Sequence, residues 1–346
     1  MPLTTSGTYD FQGLENDELI TECFERLGIE GEQLTPAKLS SARRSLNLLL
    51  LDWINKSVNL WTNKTAFLSL IEGKSNYTLD KTVIDVKNVN FRDFTRCLSG
   101  NPTATSGNAA NAFDDDPTTA CTQDTANGSI TYTYPTSTSI QFIGIVSHVD
   151  AEYALTVSSV GALATTLLTI PKQNYIAGEV YWFDLDIQTS NLAYSIAETD
   201  GATLNIREIY LTNNVSDIPL ASIDRDSYLS FLNKTTQGRP SVFYLDKQIE
   251  PILNLWQTPS STFKVLHYSY LKSIQEVGGF YNIIDIPARL YPSLVSGLTW
   301  MLSTKFNPEI SGLLKEDYET SFAMATANDV NNVDMSLHIN LSNYYD

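Results

Sequence analysis

A chain of 346 residues, 42% hydrophobic and 11% aromatic, is long enough for two domains and too rich in core-forming side chains for disorder. Its formal charge of −17 excludes a surface built to grip nucleic-acid phosphates, which needs clustered Lys and Arg. Three scattered cysteines, Cys23, Cys97 and Cys121, have no CxxC pairing and so exclude a disulfide framework, leaving reduced thiols of a non-secreted protein as the expectation. The first residues lack the basic and apolar regions of a signal peptide, and the most apolar run, Leu46 to Ile54, is far shorter than a membrane span.

Asn16 or Asp17 is placed to cap a first helix with apolar positions Leu19, Ile20, Cys23, Phe24 and Leu27, ended by Gly28. Thr35-Pro36 then gives a cap followed by proline at the first helical position. The stripe behind it is Leu39, Ala42, Leu46, Leu49, Leu50, Trp53 and Ile54, with Arg43 and Arg44 outside it. Two amphipathic helices on a short link predict an αα-hairpin. Alternation from Val83 toward Phe91 predicts a strand.

Between about residues 94 and 213 the composition changes. This stretch is rich in Thr, Ser, Ala and Tyr, and its basic residues are Arg96, Lys172 and Arg207 alone. The earlier character then returns, as expected of a domain inserted into a loop of another. Within it, residues 130–134, 140–146, 153–157, 180–185, 193–196 and 204–211 alternate as short strands between turn residues, which predicts a β-sandwich.

Beyond the insert, Ile223 to Lys234 reads as a short helix and Gln237-Gly238-Arg239-Pro240 as a turn. Residues 242–245, 252–256 and 263–270 read as strands. Pro287 opens a helix with Leu290, Leu294, Leu298, Met301, Leu302 and Phe306 on one face; Pro308 ends it, and a last helix carries Leu313, Leu314, Tyr318 and Phe322. From about Asn328 the chain is rich in Asn and Asp. There Val333, Met335, Leu337, Ile339 and Leu341 alternate with a period of two, which suits an arm that pairs with another chain's sheet edge or groove.

Signatures of catalysis are missing from the sequence. It has no GxSxG, no phosphate-binding GxxxxGK[ST] and no GxGxxG, and its carboxylates offer no distinguished pair. His148, His267 and His338 are far apart and lack ligand spacing, so they read as strand or surface histidines. Asp114-Asp115-Asp116 admits two readings: a loop for a hard cation such as Ca²⁺, or an Asp-rich turn before Pro117. Arg225 and Arg239 lie in turns near Asp224, Asp226 and Asp246, where local ion pairs or subunit contacts are expected.

Two resemblances follow from particular residues. Ala109-Ala110-Asn111-Ala112-Phe113-Asp114-Asp115-Asp116-Pro117-Thr118-Thr119, with the strand Leu204 to Leu211, resembles discoidin-like (galactose-binding-like) domains. Ala120-Cys121 stand where that pattern has Trp. The resemblance implies a jelly-roll sandwich whose loops meet glycans, lipids or proteins. The flanks resemble the head-to-tail adaptor (head-completion, packaged-DNA-stabilisation) proteins of short-tailed phages. That resemblance rests on Leu46 to Trp53, Ile223 to Tyr228, Lys234 to Pro240, Leu253 to Pro259 and Ile286 to Arg289, in this order.

The resemblances imply an α+β, multidomain fold. A mainly α-helical adaptor core with short strands (1–93 and 214–327) is interrupted by the all-β jelly-roll insert (94–213) and followed by an extended arm (328–346). They imply a virion structural protein of the neck or tail connector, made in the host cytoplasm, with no enzymatic activity, cofactor or membrane contact. It would form a ring, commonly of twelve copies, under the portal protein, retain packaged DNA and carry tail or nozzle proteins. DNA would pass through the channel without sequence recognition. Arg225, Arg239 and the five alternating residues of the arm are the contact candidates, and the insert adds a glycan or capsid contact. The alternatives are a tail-associated glycan-binding protein that attaches to a host surface, or a cell-wall hydrolase with a binding module.

Overall fold

A computed structural model of the chain describes residues 15–56, 60–161, 164–262, 264–279 and 283–327. The elements begin with helices α1 (Asn16–Arg26) and α2 (Pro36–Asn55), then strands β1 (Asn63–Ser69), β2 (Asn76–Thr78), β3 (Val83–Arg96) and β4 (Asn101–Ala104). There follow β5 (Cys121–Ala126), β6 (Ser129–Ser139), β7 (Phe142–Ser147), β8 (Ala151–Ser159), β9 (Thr166–Tyr175), β10 (Val180–Asp184), β11 (Ser190–Glu198) and β12 (Thr203–Pro219). The chain continues with β13 (Ala221–Ser222), α3 (Arg225–Ser230), β14 (Gln237–Gly238), β15 (Val242–Asp246), β16 (Ile252–Trp256), β17 (Thr258–Pro259) and β18 (Val265–Lys272). Helices α4 (Tyr291–Phe306) and α5 (Ser311–Ala327) close it. The described residues form two compact units, one from those between 15 and 63 with those between 272 and 327, and one from those between 64 and 271. The arm residues Val333, Met335, Leu337, Ile339 and Leu341, with His338, lie outside the described residues.

The first and last described segments build the helical unit. Thr35 caps α2 by accepting the Lys38 amide at 3.3 Å, and Pro36 takes the first turn as expected. At α1 the cap is Glu15 and not Asn16 or Asp17. Asn16 is instead buried, its amide donating to the Gly279 carbonyl at 2.8 Å. The expected stripe of α2 is the buried one, and Leu290, Leu294, Leu298 and Leu302 are fully buried opposite it in one core. Gly297 is a point of close approach. A Cβ there would meet the Tyr318 ring at 2.8 Å and Leu49 at 3.0 Å, so only glycine lets α4 seat against both. Leu313 departs from the expected face and is 72% exposed.

The chain as a whole is not mainly helical. Beside the helices the flanks carry β1, β2, β13 to β18 and parts of β3 and β12, so the molecule is α+β and mainly β, with five α-helices among the described residues. The expected helix at Ile223 to Lys234 shrinks to α3, capped by Asp224, because its residues past Ser230 leave the helical path. Part of the turn at Gln237 becomes β14, which pairs in parallel with β17.

The second unit contains the sandwich. One sheet is five-stranded in the order β4-β6-β11-β8-β9, and the other is seven-stranded along β1-β18-β3-β12-β7-β10, with β5 on β12. Between them lie Ile143, Ile145, Ile206, Ile209 and Leu211 on one side and Tyr132, Leu155, Val157, Tyr194 and Ile196 on the other. The run at β7 is apolar without alternation because its other face is covered too. There Val146, Val180, Trp182 and Tyr210 pack with Val265 of β18, Phe67 of β1 and Phe94 of β3. Gly144 makes room, since a Cβ would come within 2.4 Å of the Trp182 ring.

The compositional borders at 94 and 213 fall inside β3 and β12, which pair antiparallel with Arg96 opposite Thr212. The sandwich and the flanking strands therefore share one sheet. Replacing residues 97–211 by a short turn is expected to leave α1, α2, α4 and α5 protected from hydrogen exchange while β1 and β18 lose protection. Unchanged exchange in β1 and β18 would show that the second core contributes nothing to them.

Candidate functional site

Two cavities of the second unit meet at Pro117 and Thr262, which line both. The first, about 540 Å³, is lined by Phe67, Ser69, Lys74, Tyr77, Glu179 and Arg207, among others. The second, about 590 Å³, is lined by Phe94, Arg96, Asp115, Tyr210 and Lys264. Two of the three cations in the 94–213 stretch thus line this groove. The third, Lys172, bridges Glu152 and Asp200 on the surface.

Arg207 reaches the groove through an irregularity. On β12 Ile206 pairs with Ser147 and Glu208 with Val146, so Arg207 is the extra residue of a β-bulge. A bulge re-aims a side chain that regular pleating would direct elsewhere. The Arg207 Nη2 lies 3.3 Å from His148 Nδ1. Its Nη1 passes 3.5 Å from where a Cβ of residue 178 would stand, and Gly178 has φ +80°. The buried Nε of Arg207 has no hydrogen-bond partner. Among the described residues no carboxylate pairs with Arg207 or with Lys74, which lies over the Tyr77 ring at 5.0 Å.

Arg96, by contrast, pairs with carboxylates, while its Nε, like that of Arg207, has no hydrogen-bond partner. Its guanidinium pairs with Asp115 at 2.7 Å and with Glu208, donates to the Ile209 carbonyl at 2.9 Å, and lies 4.8 Å from the Tyr210 ring. Asp115 adopts the left-handed backbone (φ 59°), which Asp tolerates, and its amide donates to Glu208 Oε2 at 3.1 Å. Burial pushes the Glu208 carboxyl up to about 7 while Arg96 pulls it the other way. Such a value would suit a general acid. However, Glu208 is 0% exposed and both its oxygens are taken, so no substrate reaches it.

The other aspartates of the tripeptide behave as turn residues. Asp114 accepts from the Asp116 amide at 3.0 Å and from the Thr119 hydroxyl, and Asp116 accepts from the Thr118 amide and hydroxyl. Among the described residues no group of three or more His, Cys, Asp or Glu is placed to hold a metal ion. Arg225 and Arg239 are exposed and make no ion pair among the described residues, contrary to the expected local pairs. Asp224 caps α3 and Asp246 accepts from Gln248 instead. His267 is the strand histidine with a role: its Nδ1 lies 2.9 Å from Asp217, which also takes a bidentate pair from Arg92 at 2.8 Å and 2.8 Å. The guanidinium of Arg92, the first of these partners, holds the Asp217 carboxyl below its ordinary range.

Sequence reasoning missed Arg207 because a bulge leaves no local pattern. The signal available was scarcity, a cation kept in a stretch that otherwise excludes them.

No family model matches the chain, and no curated protein matches it. Among solved structures it is similar to the module CpGH89CBM32-6 produced by Clostridium perfringens, at 18% identity over 34% of this chain and 94% of that one, TM-score 0.30. It is similar to the family 32 carbohydrate-binding module of C. perfringens NanJ in complex with galactose, at 13% identity over 35% of this chain and 99% of that one, TM-score 0.30. A pectin-binding carbohydrate-binding module matches at 15% identity over 34% of this chain and 93% of that one, TM-score 0.29. These matches span about a third of this chain, a β-sandwich like that of the family 32 modules.

Proposed function

We propose that this chain is a non-catalytic structural protein of a virion, a head-to-tail adaptor whose helical unit makes the assembly contacts and whose sandwich serves binding. One observation carries the reading. The core of the helical unit uses the segments at Leu46 to Trp53 and Ile286 to Arg289 through which the sequence resembles such adaptors. The same unit exposes apolar side chains at helical spacing, Leu48 and Leu51 on α2 and Leu313 and Met324 on α5, which neighbouring copies or a portal would cover. The net charge of −17 agrees with a wall past which DNA slides. The adaptor reading rests on the sequence resemblance and on this core, not on the solved modules. Electron microscopy of particles carrying a tagged chain is expected to show density at the neck, below the portal. A label on tail fibres alone, with the neck intact in its absence, would overturn it.

A second reading, attachment to a surface glycan through the sandwich unit, is favoured by the groove and by the unpaired Arg207 that lines it. The solved modules named above are carbohydrate-binding by description. The groove, however, is built partly from β1 and from residues 70–78, outside the stretch that resembles a discoidin domain.

A further inference from the structure

We infer that the Arg207 cavity is a binding site for a sugar bearing a single carboxylate, a hexuronic acid. The inference deepens the glycan-binding reading and rests on it. In a chain of net charge −17, Arg207 and Lys74 line the same cavity without a carboxylate partner among the described residues. A guanidinium offers a planar fork that matches a carboxylate with two parallel hydrogen bonds, and lysine adds a point charge beside it.

The fork is fixed before any ligand arrives. The β-bulge aims Arg207, and His148 holds one side of it.

The rest of the lining limits the ligand. Phe67 and Pro117 give apolar walls for a ring, and Thr78 and Thr262 give hydroxyl partners. Glu179 is the one carboxylate of the lining. It accepts sugar hydroxyls and repels a second acidic group, so a monoacid is favoured over a di- or triacid. A volume of about 540 Å³ holds one or two sugar rings and lies within the usual range of small-ligand sites.

The test is calorimetric titration of the full-length protein with galacturonate, galactose and inorganic phosphate. The expected result is saturable galacturonate binding, weakened about tenfold or more by Arg207→Gln and by Lys74→Gln, with galactose at least about tenfold weaker. Hydrogen exchange across β12 shows whether each variant keeps its fold, and two variants on separate elements guard against one that does not. Galactose binding as tight as galacturonate would sink the acidic specificity while leaving the glycan reading standing. No heat from either sugar at about 10 mM would overturn both. Phosphate binding as tight as galacturonate and lost in the same variants would overturn the assignment to a sugar.

Discussion

Trp53→Ala is expected to cost the helical unit about 3–5 kcal/mol, the range for emptying a large aromatic from a closed core. Trp53 is fully buried, donates its Nε1–H to the Tyr318 hydroxyl at 2.9 Å, and lies 5.5 Å from the Phe322 ring. Tyr318 in turn stacks on Trp300 at 5.6 Å. Tyr318 is the one fully covered side chain of α5, so α5 is held mainly through this aromatic group. Truncation removes its central ring and strands the buried tyrosine hydroxyl, and both effects fall on α5. Hydrogen exchange should accelerate most in α5 and at the end of α2, with the strands of the second unit unaffected. Trp53→Phe is expected to lose only about 1–2 kcal/mol, because it keeps most of the apolar area and drops the hydrogen bond. Equal protection of α5 in Trp53→Ala and wild type would show that this group does not anchor the helix.

The helical unit was legible because its information is local. Thr35-Pro36, the three-and-four spacing from Leu39 to Trp53, and Pro308 each act through neighbours in sequence. The strand at β16 was equally plain, since Ile252 to Trp256 alternates between turn residues. β9 was not, because Pro171 and Lys172 interrupt its apolar run, and β5 offers almost no apolar residues to alternate. The shortest strands of the flanks were hidden for a different reason. Short strands such as β2, β13 and β14 exist only as partners of distant segments, and their own residues encode little.

The groove was still less legible, because its parts come from six separate stretches of chain. Asp114-Asp115-Asp116 drew notice as a concentration of acid, yet its members do two different things. Two close turns, and Asp115 faces Arg96. Arg225 and Arg239 drew notice for nearby carboxylates in sequence, but proximity along a chain does not fix direction, and both point to solvent. What the structure sets apart is the pair Arg96 and Arg207, the first paired with carboxylates and the second with none among the described residues.

That contrast gives the second large effect. Arg96→Met should destabilise β12 by about 3–5 kcal/mol near pH 8, because it leaves the Glu208 carboxylate buried without its counter-charge. The sign of the pH dependence follows from the carboxyl itself. Its folded value, about 7, lies above the ordinary 4.5, so the folded state holds the proton more tightly than the unfolded one. The stability linked to this proton is therefore complete below about 4.5 and is lost as pH rises through about 7. Without Arg96 the folded value climbs further and the loss above it deepens. The penalty of Arg96→Met should thus be largest near pH 8 and shrink near pH 5.5, where Glu208 can enter the core protonated. Adding Glu208→Gln to Arg96→Met should recover most of the loss and flatten the pH dependence, since a neutral amide needs no counter-charge. Hydrogen exchange of β12 peptides at the two pH values, corrected for intrinsic rate, reads both effects. A penalty equal at pH 8 and pH 5.5, or a double variant no more stable than Arg96→Met, would show that Glu208 is not the group that Arg96 neutralises.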